Sequence, residues 1–399
     1  KLIGRSGAMT GAGDENVRFN ITVPEAIGEG SQSLTVTLKP SLAAVAMDAL
    51  PYLARYPYGC TEQTMSRFLP TVVVRQTLDA AGVDLDDIRE MVEDRSAADP
   101  KLKARYAFIR KRMGRNPVYS EREVEKMIAD GLNRLKGFQH ADGGWGWWRH
   151  GSSDPYMTAY VTFGLVEAQQ VDVRVAYEMI NRAADWLVKA ASRPPLEAGE
   201  RPNWWWAHTY NDNTRAFMHY VIGRARGNAW AKNEKLTAEL DRLFKQRDEM
   251  TDYGRAYLAL ALHAAERNGE ARTIVENFQN TVTVDKARGV AHWGNTGGWW
   301  YWYKGATETT AWVLQAMLTV DPDHEHVPMA ANWLVQNRRG VYWHNTKGTA
   351  MAVYALARYA RKAGELDCDQ TYTVLVDGKQ VHEVRVRKDN LFTFPSRAV

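Results

Sequence analysis

The 399-residue sequence contains only two cysteines, Cys60 and Cys368. Two thiols cannot form the disulfide framework of a small secreted domain, and they do not fix the redox compartment. No apolar run approaches the ~20 residues that a membrane-spanning helix needs. The opening KLIGRSG is not followed by the charged-then-apolar pattern of an export leader. Lys1 at one end and NLFTFPSRAV at the other read as cuts through a longer protein, so that gap says nothing about export. An excess of one charge is missing too. Lys plus Arg number 51 against 47 for Asp plus Glu, a formal +4, which is too weak to point to a nucleic-acid partner. A composition 45% hydrophobic and 25% charged excludes disorder. The length allows two or three domains of ~150 residues. Aromatic side chains are the abundant feature, with 15 Trp, many of them clustered.

The ends alternate with period 2. Val17, Phe19 and Ile21, then Leu34, Val36 and Leu38, are spaced by polar residues on either side of a glycine-containing turn. YTVLVDGKQVHEVRV (372–386) is two such runs about Asp377-Gly378, a hairpin signal, and LFTF (391–394) is one more short strand. Between the ends the spacing is helical, in windows at 41–55, 61–79, 100–113, 121–137, 155–170, 173–191, 213–226, 234–247, 251–267, 306–319, 327–337 and 347–362. Short linkers between them predict antiparallel helical hairpins.

Three segments echo one another. DGGWGWWRHGSSDPYMTAYVTFGL (142–165), GGWWYWYKGATETTAWVLQAMLT (297–319) and GVYWHNTKGTAMAVYAL (340–356) each join a glycine and aromatic turn to a helix that opens near a threonine. The bland expectation is that these aromatics wedge between hairpins. The sharper one is that they line a ligand groove.

Residues 56–70 read YPYGCTEQTMSRFLP and place Cys60 three residues before Gln63. At the start of a helix, side chains at i and i+3 share a face. The Cys60 thiolate would then reach the Gln63 carboxamide carbon, expel ammonia and leave an internal thioester. Gly59 would give a sharp entry with free backbone N–H groups. A helix N-terminus lowers a thiol's pKa and steadies developing negative charge. Tyr56, Tyr58, Met65 and Phe68 would keep water off the carbonyl, and Glu62 would suit the helix dipole.

YPYGCTEQ resembles the thioester signature of the α2-macroglobulin and complement family, whose core is GCGEQ or, in bacterial members, CLEQ or CTEQ. The resemblance extends over the strands before the motif and the helical body after it. It implies a mainly α fold: a thioester domain at 41–366 built as an α/α toroid of about six helical hairpins. Residues 1–40 would be β-strands of a CUB-like or macroglobulin-type region, and 367–399 strands of the CUB-like β-sandwich. It implies a broad-spectrum endopeptidase inhibitor rather than an enzyme. A protease cuts a bait region elsewhere in the chain, the thioester is uncovered, and a lysine amine or a hydroxyl of the attacker takes the Gln63 acyl group. The partners implied are target proteases, covalently trapped, and the remaining macroglobulin domains, with no cofactor, nucleic acid or direct membrane contact. The location implied is the periplasm, with the full-length protein an inner-membrane lipoprotein. In complement relatives a histidine passes the acyl group to hydroxyls. The matching stretch here, Asp142 to Val161, holds His150, with His140 and His292 as rivals.

Other readings start from other residues. Asp84-Leu85-Asp86-Asp87 matches the DxDD acid motif of some terpenoid cyclases but sits in a polar run that suits a helix start. An α/α-toroid glycoside hydrolase with a Trp-lined cleft would need two converging carboxylates, for which Asp142, Asp154 and Glu308 are available. A cysteine hydrolase would need a distant histidine for Cys60. No metal site is expected, because His324 and His326 beside Glu325 read as a solvated loop.

Overall fold

Among the described residues, five helices have a polar face and six have almost none, and that difference sorts them into two sets. A computed structural model of the chain describes residues 59–82, 120–194, 210–295, 305–339, 342–364 and 369–387, with positions 20, 35–36, 42, 45–46, 49, 52–53 and 397–398 besides. The nearly all-buried set comprises α1 (Thr61–Ala81), α3 (Pro155–Gln169), α5 (Asp212–Arg226), α7 (Asp252–Ala264), α9 (Ala306–Val320) and α11 (Thr346–Lys362). The amphipathic set comprises α2 (Glu121–Phe138), α4 (Tyr177–Ala191), α6 (Glu234–Lys245), α8 (Asn268–Asn277) and α10 (His326–Gln336). In α2 only Val124, Met127, Ile128 and Leu135 are buried, the spacing of one helical stripe. In α3 everything from Pro155 to Val166 is buried. A helix apolar on all sides must be surrounded by other elements.

The packing supplies those neighbours. Helix α1 lies on α3, α3 on α5, α5 on α7, α7 on α9, α9 on α11, and α11 returns to α1. Helices α4, α6, α8 and α10 each bridge two successive members of that series, and α2 covers α1. Among the buried helices Phe163, Phe217, Tyr257, Trp312 and Tyr354 touch in a chain of ring contacts, with Phe217 and Tyr257 at 4.4 Å and Tyr257 and Trp312 at 4.8 Å between centroids. Such offset and edge-on pairs stabilise beyond their area alone. The space between these helices is therefore a packed core and not a cleft.

Five of the six buried helices start on a side-chain cap; α9 starts on Gly305 without one. Cys60, Asp154, Asn211, Thr251 and Asn345 each accept a backbone N–H of the first turn, satisfying donors that a helix start leaves orphaned.

The sequence echo corresponds to a repeated device. Trp145, Trp293 and Trp343 are fully buried. Each donates its indole N–H to a main-chain carbonyl of the preceding helical segment: Leu135 at 2.8 Å, Phe278 at 2.9 Å and Leu334 at 2.7 Å. Each takes a threonine hydroxyl of the following helix on its own backbone N–H: Thr158, Thr310 and Thr349. The wedge reading holds for these three. Trp204–Trp206, Trp299, Trp300 and Trp302 lie outside the described residues, as do Asp84–Asp87 and the helical window at 100–113.

Strands are few. β1 (Thr35–Val36) pairs antiparallel with β6 (Arg397–Ala398), joining the two ends of the chain. β2 (Thr283–Asp285) pairs with β3 (Val290–His292). β4 (Asp369–Val376) and β5 (Lys379–Arg387) form the expected hairpin. Asp377 and Gly378 at its tip both have positive φ, 50° and 77°, as a tight two-residue turn requires. The strand signals at 17–21 and 391–394 lie outside the described residues apart from Asn20.

Candidate functional site

Cys60 is the N-cap of α1, with an extended backbone (φ −69°, ψ 168°). Its carbonyl accepts the Thr64 N–H at 3.0 Å and its Sγ accepts the Gln63 N–H at 3.4 Å. The three-residue spacing thus folds the thiol back over the residue that carries the carboxamide. Cys60 is 6% exposed. Gln63 is half-buried, and its Oε1 is buried with no hydrogen-bond partner among the described residues. Over the first ten residues of α1 only Gln63 and Arg67 escape full burial. They are four apart and share one face, so Gln63 looks out along the one edge of the helix that is not covered.

Gly59 has a reason that the sequence did not show. A Cβ there would stand 1.9 Å from the Arg134 guanidinium of α2, which donates to the Gly59 carbonyl at 2.7 Å. The glycine admits a clamp on the motif; its φ is not in the left-handed region.

The thiol's electrostatics also differ from expectation. Burial pushes the Cys60 pKa up, and the Glu62 carboxylate adds to that, against the lowering by the Gln63 N–H. Desolvation disfavours the thiolate more than the helix start favours it.

Glu62 faces inward, where the dipole argument alone would have left it on the surface. It is 3% exposed. Its carboxylate accepts the Ser66 hydroxyl at 2.6 Å and the Thr346 hydroxyl at 3.0 and 3.3 Å. Burial raises its pKa, and those hydroxyls and the nearby Lys347 ammonium oppose the rise. Beside it Lys347 Nζ pairs with Glu308 Oε2 at 2.9 Å, both buried, and lies 4.9 Å over the Tyr156 ring. The first turns of α1, α3, α9 and α11 therefore meet at one place. Their positive ends favour the two carboxylates.

The turn at 140–153 covers the start of α1. The Trp147 carbonyl accepts the Thr61 N–H at 3.0 Å. His140 holds the turn by Nδ1 to the Ser153 hydroxyl at 2.9 Å and Nε2 to the Trp148 carbonyl at 3.3 Å. Asp142 accepts the Gly144 N–H, the Ser153 hydroxyl and the Trp186 indole. Desolvation raises its pKa, but these bonds outweigh that, and the net shift is downward. His150 is exposed in the same turn, and among the described residues no hydrogen bond joins it to Cys60 or Gln63. His292 stacks on Trp333 at 4.7 Å, and burial lowers its pKa. Met65 is fully buried between α1 and α3, with its methyl group filling the space that a Cβ on Gly164 would need. Tyr56, Tyr58 and Cys368 lie outside the described residues.

The carboxylates considered for a glycosidase are each engaged elsewhere: Asp142 in its turn, Asp154 as the cap of α3 and Glu308 by Lys347. His326 belongs to no solvated loop. It is 7% exposed at the first position of α10. Among the described residues no group of His, Cys, Asp and Glu fits a metal ion.

Sequence reasoning missed Arg134, Trp147, Thr346 and Lys347. Only Lys347 carried a local signal, a lysine in the first turn of a helix, where the dipole disfavours a cation.

Comparison with known proteins agrees with the motif. Residues 33–193 match the family model described as the A-macroglobulin TED domain. An alpha-2-macroglobulin of Thermotoga maritima is 32% identical over 152 residues, 38% of this chain and 7% of that protein. Thioester-containing protein 1, allele S3, of Anopheles gambiae is 22% identical over 361 residues, 88% of this chain and 24% of that protein. The chain thus spans at most about a quarter of these relatives. In fold it is similar to native Escherichia coli alpha-2-macroglobulin from domain MG7 to the C-terminus (TM-score 0.54, 20% identity, 89% of this chain and 48% of that one). It is similar too to Salmonella alpha-2-macroglobulin reacted with methylamine (TM-score 0.53, 19% identity, 89% of this chain and 20% of that one). Residues 33–193 and the motif they contain thus resemble the thioester domain of α2-macroglobulin-like proteins.

Proposed function

We infer that this chain is the acyl-donor part of a bacterial α2-macroglobulin-like trap for proteases. Its mainly helical body, whose buried helices follow one another back to α1, supports an α/α toroid spanning 41–366. The paired β1 and β6 support a CUB-like β-sandwich made from 1–40 and 367–399. The observation that carries the chemistry is the placement of Cys60 Sγ 3.4 Å from the Gln63 backbone nitrogen, together with a Gln63 carboxamide oxygen that is buried and unpartnered among the described residues.

The reaction is an acyl transfer in two steps. The Cys60 thiol attacks the Gln63 carboxamide carbon, the S–C bond forms, the C–N bond breaks, and the nitrogen leaves as ammonia with the thiol's proton. Later an amine or hydroxyl of a captured protease attacks the same carbon, and Cys60 leaves as a thiol. Each thioester reacts once, so the protein is an inhibitor and not a turnover enzyme. Reactivity is governed by access, because a buried thioester meets neither water nor amines. Tyr56 and Tyr58 are the outer shield in this reading, and Met65 is the apolar floor. His150, in the turn that covers α1, is the candidate for passing the acyl group to hydroxyls. Bait cleavage and caging belong to the rest of a longer, periplasmic, lipid-anchored protein.

Intact mass with thiol titration, before and after methylamine, tests this. The expected protein is lighter by one ammonia, with Cys60 not titratable. Methylamine then adds at Gln63 and frees the Cys60 thiol. An unmodified mass with a free Cys60, here and in the full-length protein, would sink the reading.

A further inference from the structure

Two carboxyl groups and one ammonium are buried together under the motif. Glu62 is held by Ser66 and Thr346. Glu308 is held by Lys347 at 2.9 Å and by the Tyr156 hydroxyl at 3.4 Å. Lys347 is 1% exposed, follows Thr346 in the chain, and acts electrostatically on Glu62 as well as on Glu308. The Ser66 hydroxyl also meets Tyr160 Oη at 3.1 Å. Residues from α1, α3, α9 and α11 are thus tied into one polar knot, and Glu62, which with Ser66 is the contribution of α1, stands between Cys60 and Gln63 in the chain.

Stability alone does not explain such a knot. Replacing a buried ion pair by apolar residues of similar volume is often neutral or stabilising, whereas removing one partner is costly. What a hydrogen-bonded ionic network does supply is a fixed geometry. The acyl chemistry needs that geometry, since a misplacement of about 1 Å at a reacting centre can cost ~100-fold in rate. The thiol and the carboxamide sit on the first turn of α1, the part of a helix with the fewest bonds of its own.

We propose that Lys347 is a positioning residue for thioester formation. Anchored by its pair with Glu308, it holds Glu62 by its charge and through the adjacent Thr346 hydroxyl, and so fixes the first turn of α1 with Cys60 Sγ against Gln63. Lys347 touches neither reacting group. This role rests on the thioester reading.

The test uses the whole chain as wild type, Lys347→Met, Lys347→Arg, Glu308→Gln with Lys347→Met, and Glu62→Gln. Thioester occupancy is read from ammonia loss in the intact mass, and folding from thermal unfolding. The expected result is a cooperatively folded Glu308→Gln/Lys347→Met protein with occupancy at least tenfold below wild type, and partial recovery in Lys347→Arg. The double variant removes both members of the ion pair and leaves Glu62 to its Ser66 and Thr346 hydroxyls, so it keeps the test valid where Lys347→Met fails to fold. Glu62→Gln, which retains an acceptor for Thr346, serves if the double variant also fails, with the same expected drop in occupancy. Folded variants with wild-type occupancy and wild-type methylamine kinetics would overturn the positioning role while leaving the thioester reading intact. A wild type that never loses ammonia, here and in the full-length protein, would overturn both.

Discussion

The Trp147 carbonyl receives the Thr61 N–H at 3.0 Å, so the turn before α3 is bonded to the residue after Cys60. The Trp147 side chain in turn donates to Asp154, the cap of α3. A titratable group therefore stands two bonds from the motif.

Asp154 is 3% exposed, and burial pushes its pKa up to about 6 against the hydrogen bonds from Met157, Tyr156 and Trp147. The unfolded value is about 3.9. Because the folded value is the higher one, this group's contribution is fully present below pH ~4 and is lost as pH rises through about 6. The difference is roughly 3 kcal/mol at most. Asp154→Asn keeps the cap acceptor but does not titrate. Its stability relative to wild type should rise by that order between pH 4 and pH 8, measured by urea unfolding at each pH. Parallel curves for the two proteins would show that Asp154 is not the group responsible.

Cys60→Ala should abolish methylamine incorporation and leave the helical fold intact. The side chain makes one weak bond, at 3.4 Å to the Gln63 N–H, and loss of a cap costs about 1 kcal/mol. Circular dichroism should therefore show a melting point only a few degrees lower. A variant that no longer folds would make Cys60 a structural residue first.

The three wedge tryptophans, Trp145, Trp293 and Trp343, should be costly to remove and ordinary in how they fail. Trp343→Ala removes a fully buried indole and should cost 3–5 kcal/mol, roughly the range for large aromatic truncations. Trp343→Phe keeps most of the apolar volume but leaves the Leu334 carbonyl without its donor at 2.7 Å, which should cost about 1–3 kcal/mol. Guanidinium unfolding separates the two. A Trp343→Phe protein as stable as wild type would mean that the hydrogen bond contributes nothing.

Legibility in the sequence followed the range of the interactions. The Asp377-Gly378 hairpin and the Trp-to-Thr device are local, and both stood in the sequence as patterns. The helix at Asn268–Asn277 was missed, because it opens on Asn-Gly and buries only Ala271, Ile274 and Val275. The β2–β3 pair, three residues a side, is too short for an alternation to register. At the motif, Cys60 and Gln63 were readable because they are three apart. Glu62 was readable only as a first-turn acid, since its partner Thr346 is 284 residues away. The thiol's raised pKa was hidden for the same reason: its burial comes from the elements packed around α1, not from the helix start.

Gly59 and Arg134 offer a last test, of whether the glycine of the motif serves the thiol or the clamp. A methyl at Gly59 would overlap the Arg134 guanidinium at 1.9 Å and force it off the Gly59 carbonyl, which it now reaches at 2.7 Å. Arg134 is exposed, so its bond is a modest one, about 1 kcal/mol. Gly59→Ala and Arg134→Ala should each lose that interaction. The double variant should then lose little more than either alone, giving a coupling of about 1 kcal/mol in a double-mutant cycle read by urea unfolding. Costs that simply add would mean that Gly59 is required by the backbone path into α1 and that Arg134 is incidental to it.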